Sequence, residues 1–101
     1  MIYFLVKDEA FVKIGYSDNP EKRRSQLQTA SPEPLRILCT VPGTRKQEKE
    51  LHGYFRPLKT ILGGSEWFRL STGLEMYIRR LTELGIYEPP NQIERFNPLK
   101  K

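Results

Sequence analysis

Ile2-Tyr3-Phe4-Leu5-Val6 and Phe11-Val12-Lys13-Ile14-Gly15 decide how this chain folds. Both segments are rich in β-branched and aromatic residues, and Lys7-Asp8-Glu9 between them supplies a polar turn. Residues 2–6 and 10–15 therefore read as a strand hairpin. Gly15 closes the second strand, and eight residues further on Arg23 falls in a stretch with helical signals. Asp18-Asn19-Pro20-Glu21 offers a capping side chain, a proline suited to the first turn and an acid near the helix start. That predicts a helix over about residues 20–29. A hairpin feeding a cationic helix can gather a tyrosine, a glycine and an arginine around one phosphate.

Working outward, Ser31-Pro32-Glu33-Pro34 ends the first helix, and Leu35 to Val41 has the apolar content of a buried strand. Pro42-Gly43 stops it. Thr44-Arg45-Lys46-Gln47 has the spacing of a capping box, predicting a helix from about 45 to 58. On it Glu48, Leu51, His52, Phe55 and Leu58 share one face, so Glu48 lies on the core-facing side. Residues 61–65 read as a glycine-bearing loop, and Glu66-Trp67-Phe68-Arg69-Leu70 as a short strand whose tryptophan fills the core. Leu74, Tyr77, Ile78, Leu81 and Leu84 mark a third amphipathic helix ended by Gly85. The expected architecture is α/β, of the α+β kind: a small, mainly antiparallel central sheet flanked by helices. Residues 1–88 form the domain, and 89–101 a surface tail that packs through Ile93 and Phe96.

A chain of 101 residues makes about one domain with one modest core. It carries 17 Lys and Arg against 12 Asp and Glu, a net charge of +5, and residues 35–70 hold seven basic side chains against three acidic ones. That balance favours a polyanionic partner. With Cys39 as the one cysteine, an internal disulfide and a cysteine metal cage are excluded, which fits a reducing compartment. No apolar run reaches the length of a membrane span, and the first residues read as a strand, not a signal peptide, so the expected location is cytoplasmic.

The order hairpin, helix, strand, helix carries further landmarks: Ile2-Tyr3, Val12-Lys13-Ile14-Gly15, Arg23, Glu48-Lys49-Glu50-Leu51-His52 and Gly64-Ser65-Glu66-Trp67-Phe68. In joint order and spacing, over about residues 2–70, this resembles the GIY-YIG nuclease superfamily, in particular its short phage and bacterial subgroup. The resemblance implies a GIY-YIG endonuclease-like fold. It implies that Tyr3 is the first-motif tyrosine, Arg23 the helix arginine held at the phosphate and Glu48 the metal-binding carboxylate. A single Mg2+ or Mn2+ then assists phosphodiester hydrolysis, leaving a 5′-phosphate and a 3′-hydroxyl. Lys13 stands where the family has its second-motif tyrosine.

The residue chemistry agrees. Cleaving a phosphodiester concentrates negative charge on phosphate oxygens, so a site needs fixed cations and a positioned nucleophile. Arg23 offers a planar fork that matches two phosphate oxygens. Glu48 is a hard oxygen ligand, and a magnesium site needs only one or two protein carboxylates beside waters and substrate oxygens. Tyr3 and Tyr16 bring phenols able to orient the attacking water, and Lys13 can contact phosphate or accept a proton. His52, one turn from Glu48, can touch the leaving group, orient the carboxylate, or simply be a hydrogen-bonded core histidine. Glu66 is a candidate supporting acid. Lys22, Arg24, Arg45, Lys46 and Lys49 are candidates for backbone contacts. The expected partner is DNA, with RNA as a variant. A non-catalytic nucleic-acid-binding module and a regulatory interaction domain are the competing readings of the same fold.

Overall fold

The computed structural model describes residues 1–60 and 67–90. The loop expected at 61–65, the supporting acid Glu66 and the tail contacts of Ile93 and Phe96 lie outside the described residues. The fold is α+β: a four-stranded antiparallel sheet with three helices, compatible with an endonuclease-like α/β fold.

β1 (Ile2–Lys7) and β2 (Phe11–Tyr16) form the hairpin. Ala10 donates its amide to the Lys7 carbonyl at 3.1 Å, while Asp8 and Glu9 both adopt left-handed backbone, with φ of 57° and 51°. Two successive left-handed residues make the tight turn whose twist matches a hairpin, at a steric cost because neither residue is glycine. α1 (Pro20–Gln28) starts as expected, with the Asn19 side chain accepting from the Lys22 amide at 3.1 Å. β3 (Leu35–Val41) pairs with the other side of β1, and β4 (Trp67–Arg69) with the outer side of β2, giving the order β3-β1-β2-β4. The register of β1 with β3 shifts between Phe4 and Leu5, which face Cys39 and Ile37, so Leu38 bulges out of the ladder and packs against the core.

α2 (Arg45–Tyr54) begins with the expected capping box: the Gln47 amide donates to the Thr44 hydroxyl at 3.1 Å, and Gln47 Oε1 accepts from the Thr44 amide at 3.0 Å. The helix ends earlier than the spacing predicts, and Arg56–Leu58 form a single 3-10 turn. Pro57 has no amide to offer the Gly53 carbonyl, and its ring would collide with that carbonyl in a continued α-helix. α3 (Thr72–Leu84) is capped by Ser71 at its start and by left-handed Gly85, φ 73°, at its end.

Alternation along the strands divides the sheet into two faces. Ile2, Phe4, Val6, Val12, Ile14, Cys39, Val41 and Phe68 point toward α2 and α3 and join Leu51, Phe55, Leu74, Tyr77, Ile78 and Leu81 in the main core. Tyr3, Leu5, Lys13, Gly15 and Trp67 lie on the other face, where α1 packs along β3 and β1. Phe68 fills the main core. Trp67, expected there, is buried on the opposite face, because adjacent strand residues must point apart.

Residues after α3 fold back onto it: Tyr77 donates its hydroxyl to the Glu88 carbonyl at 2.6 Å, and Pro90 is buried. Burial, reinforced by the Tyr87 and Glu88 charges, pushes the Tyr77 phenol far above its ordinary range. The Tyr87 phenol is pushed up to about 12, first by burial and then by the Glu50 carboxylate. Unfolded tyrosine titrates near 10, so the unfolded chain releases these protons first. The stability these phenols contribute is complete below pH 10 and falls as pH rises through the interval from 10 to 12. Urea unfolding across that interval should show this decline, and Tyr77→Phe should flatten it while costing about 1 kcal/mol at neutral pH for the lost hydrogen bond.

Candidate active site

The short β4 meets β2 only at Phe11, Val12 and Lys13, so the outer edge of β2 from Ile14 to Tyr16 has no neighbouring strand among the described residues. Side chains from both layers converge on that open edge.

From one face comes Tyr3. It sits directly opposite Gly15, and its ring crosses the glycine: a Cβ added there would fall 2.8 Å from Tyr3 Cε2 and closer still to Cζ and the hydroxyl. The phenol tip is thereby carried from the centre of the sheet over β2, with the ring buried. Lys13, two residues away on the same face, is 8% exposed, and its ammonium lies 5.8 Å from the centroid of Trp67. The Lys7 ammonium lies 4.4 Å from the same ring. The negative face of the indole attracts each ammonium group, which favours holding both cations beside one ring.

From the other layer comes α2, which presents Arg45, Glu48 and His52 at i, i+3 and i+7 on one side. The Arg45 guanidinium lies 4.6 Å from the centroid of Tyr16, the last residue of β2. His52 Nε2 is 2.7 Å from the Ile14 carbonyl and 3.0 Å from Glu48 Oε2, and its ring packs edge-on against Phe68 at 5.1 Å. Both neighbours of Nε2 are acceptors, so that nitrogen carries the hydrogen and donates. His52 thus occupies the backbone position left open by β4 and steers a carboxylate that is 15% exposed.

The expected site residues do not share one sheet face. Tyr3 and Lys13 share a face, but Glu48 reaches the edge from the opposite layer. Tyr16 pairs with Ile2 and points toward α2, away from Tyr3. Arg23 and Lys22 are exposed on α1, which packs on the Tyr3 face. Arg24 is tied to Glu21 at 2.7 Å and reaches the Leu35 carbonyl at 3.5 Å, so its charge is partly spent within the fold. Lys46 and Lys49 are exposed on α2. Sequence reasoning missed Lys7 beside Trp67, the Ile14 carbonyl as the histidine's partner, and the stack of Arg45 on Tyr16. All three follow from strand register, which brings residues distant in the chain side by side.

No group of three or more His, Cys, Asp or Glu side chains converges among the described residues. The donor set here, one partly buried carboxylate, has the chemistry of a hard oxygen ligand of the kind a hydrated divalent cation takes. It does not fit a closed structural cage.

Residues 1–84 match the family model of the T5orf172 domain. That domain occurs in phage and bacterial proteins, is related to GIY-YIG and HNH-like nucleases, and is associated with nuclease or DNA-binding roles. No curated protein and no solved structure matches the chain. Among the described residues no helix is long and apolar enough to cross a membrane.

The crossing of Tyr3 over Gly15 makes a sharp demand on the glycine. Gly15→Ala would force the buried ring aside or the strands apart, and overpacking of this kind costs roughly 1–3 kcal/mol. The midpoint of urea unfolding should fall accordingly. Gly53→Ala, where an added Cβ meets nothing within 4 Å, should not lower it.

Proposed function

The chain belongs to the T5orf172 domain family, and on that premise we propose that it is a metal-dependent endonuclease that hydrolyses phosphodiester bonds of DNA. The observation that carries this reading is the carboxylate of Glu48, aimed by His52 at the open edge of β2 where the Tyr3 ring crosses Gly15. An acid steered by a dedicated donor is poised for work that a solvated surface glutamate does not need.

In this reading Arg23 clamps the non-bridging oxygens of the scissile phosphate with two parallel N–H bonds and offsets the charge that builds there. Glu48 holds Mg2+ or Mn2+, which when bound polarises the phosphate and stabilises the leaving oxygen. Tyr3 orients the water that attacks phosphorus, with Tyr16 or Lys13 assisting. The bond from phosphorus to the 3′-oxygen breaks, the 5′-phosphate stays on one fragment and the 3′-oxygen takes up a proton. His52, its Nε2 hydrogen already donated, keeps the Glu48 carboxylate in place.

One observation favours a second reading, a non-catalytic nucleic-acid-binding module. Lys13 occupies the place of the second-motif tyrosine, and it is buried against Trp67 as a packed cation.

Both readings meet in one experiment. Purified protein is incubated with labelled duplex DNA, single-stranded DNA and RNA, with magnesium, manganese or chelator, beside Arg23→Ala and Glu48→Gln. The expected outcome is metal-dependent cleavage of DNA that falls at least about 100-fold in each variant, the usual loss when one transition-state contact is removed. Undiminished cleavage in both variants would overturn the assignment of the site, and salt-sensitive binding without cleavage would select the binding module.

A further inference from the structure

Several guanidinium groups in this fold are neutralised by acids: Arg24 by Glu21, Arg36 by Glu9 and, at a longer 3.8 Å, Arg80 by Glu88. Arg45 is arranged differently. It is exposed at the first turn of α2, forms no ion pair among the described residues, and lies instead over the face of Tyr16. Stacking on an aromatic face orients a guanidinium while leaving its N–H groups directed outward in its own plane, available to an anion. The platform is itself held, because Tyr16 ends β2 opposite Ile2 and packs against the main core. The arginine therefore has a defined direction, unlike an ordinary surface charge that samples many rotamers.

Its position is equally specific. Arg45 and Glu48 are separated by three residues on one helix, so their Cβ atoms lie roughly 5–6 Å apart. Successive phosphates along one strand are spaced on the same few-ångström scale, the axial rise alone being about 3.4 Å in a duplex. A strand with one phosphate at Glu48 would bring a neighbouring phosphate to Arg45. Lys46 and Lys49, also exposed on α2, extend the positive charge along the helix.

We propose that Arg45, stacked on Tyr16, is a phosphate subsite that grips the nucleic-acid backbone next to the bond cleaved at Glu48. The inference rests on the nuclease reading for its location and deepens it. The substrate is held by its backbone, independent of base identity, and the ring of Tyr16 serves as the platform for the guanidinium.

The test measures binding of the full chain to a short fluorescent duplex in chelator, over a range of salt, with a parallel cleavage arm in magnesium. Arg45→Ala should weaken binding about tenfold and lower the slope of log affinity against log salt by about one, the loss of one phosphate contact. Tyr16→Leu keeps the net charge, so it should leave the slope unchanged yet weaken binding about threefold, as expected for loss of an exposed cation–π contact. Arg45→Lys should retain the slope and fall between the wild type and alanine. Circular dichroism melting checks that Tyr16→Leu is folded, and the exposed Arg45 carries the test if it is not. Arg79→Ala, on the outer side of α3, is the charge control and should change neither quantity. Wild-type affinity and slope in Arg45→Ala, or an equal loss in Arg79→Ala, would overturn the subsite, as would the absence of salt-dependent binding by the wild type. Cleavage by the wild type with Arg45→Ala unaffected would sink the subsite alone. Arg45-dependent binding without cleavage would sink the hydrolytic reading and leave the subsite standing.

Discussion

One missing side chain organises this protein. Tyr3 belongs to the central strand, and a tyrosine there would ordinarily stand upright on the sheet with its hydroxyl buried under α1. Because Gly15 faces it across the ladder, the ring lies over the neighbouring strand and its tip travels toward the edge of the sheet. A glycine in a strand normally weakens it, through lost packing and added chain entropy. Here the tyrosine fills the space that the glycine leaves, so part of the loss is recovered as buried aromatic area. The pair links the most deeply held element of the fold to its most open one.

Among the described residues β4 accompanies only the first half of β2, which leaves Ile14 to Tyr16 as an edge. An unpaired stretch of backbone is a hazard in a soluble domain, since it invites pairing with another chain. In this protein a side chain intervenes: His52 donates to the Ile14 carbonyl, one residue beyond the last described β4 pair. Since the same hydrogen also faces Glu48, satisfying the backbone and aiming the carboxylate become a single contact. The capping box of α2 reinforces it by fixing where the helix begins, and hence the rotation at which Arg45, Glu48 and His52 meet the sheet.

Much of the fold was legible because its elements carry their own punctuation. The strand from Leu35 to Val41 lies between prolines, Asn19-Pro20 opens α1, Thr44 and Gln47 open α2, and Gly85 closes α3. Local signals misled where a short-range rule outweighed periodicity: apolar spacing continued the second helix to Leu58, but Pro57 ended it. The candidate residues could be named from the chain, yet their grouping could not. Whether Glu48 meets Tyr3 across a face or around an edge depends on strand register and on the length of β4, neither of which is encoded near those residues. Trp67 illustrates the same point. Its composition says core, while its parity relative to Phe68 turns it toward Lys7 and Lys13.

The central position of β1 also bears on how the chain acquires its shape during synthesis. β1 and β2 follow one another directly and pair through the tight turn, a local and rapid closure. The other edge of β1 must wait for β3, and the apolar strip of Ile2, Phe4, Val6, Val12 and Ile14 stays uncovered until α2 and finally α3 arrive. Until those helices are made, the hairpin is an exposed two-stranded ribbon, the kind of intermediate that associates with its own copies. α1, made between the hairpin and β3, carries Lys22, Arg23 and Arg24 against Glu21, and this like charge opposes such association.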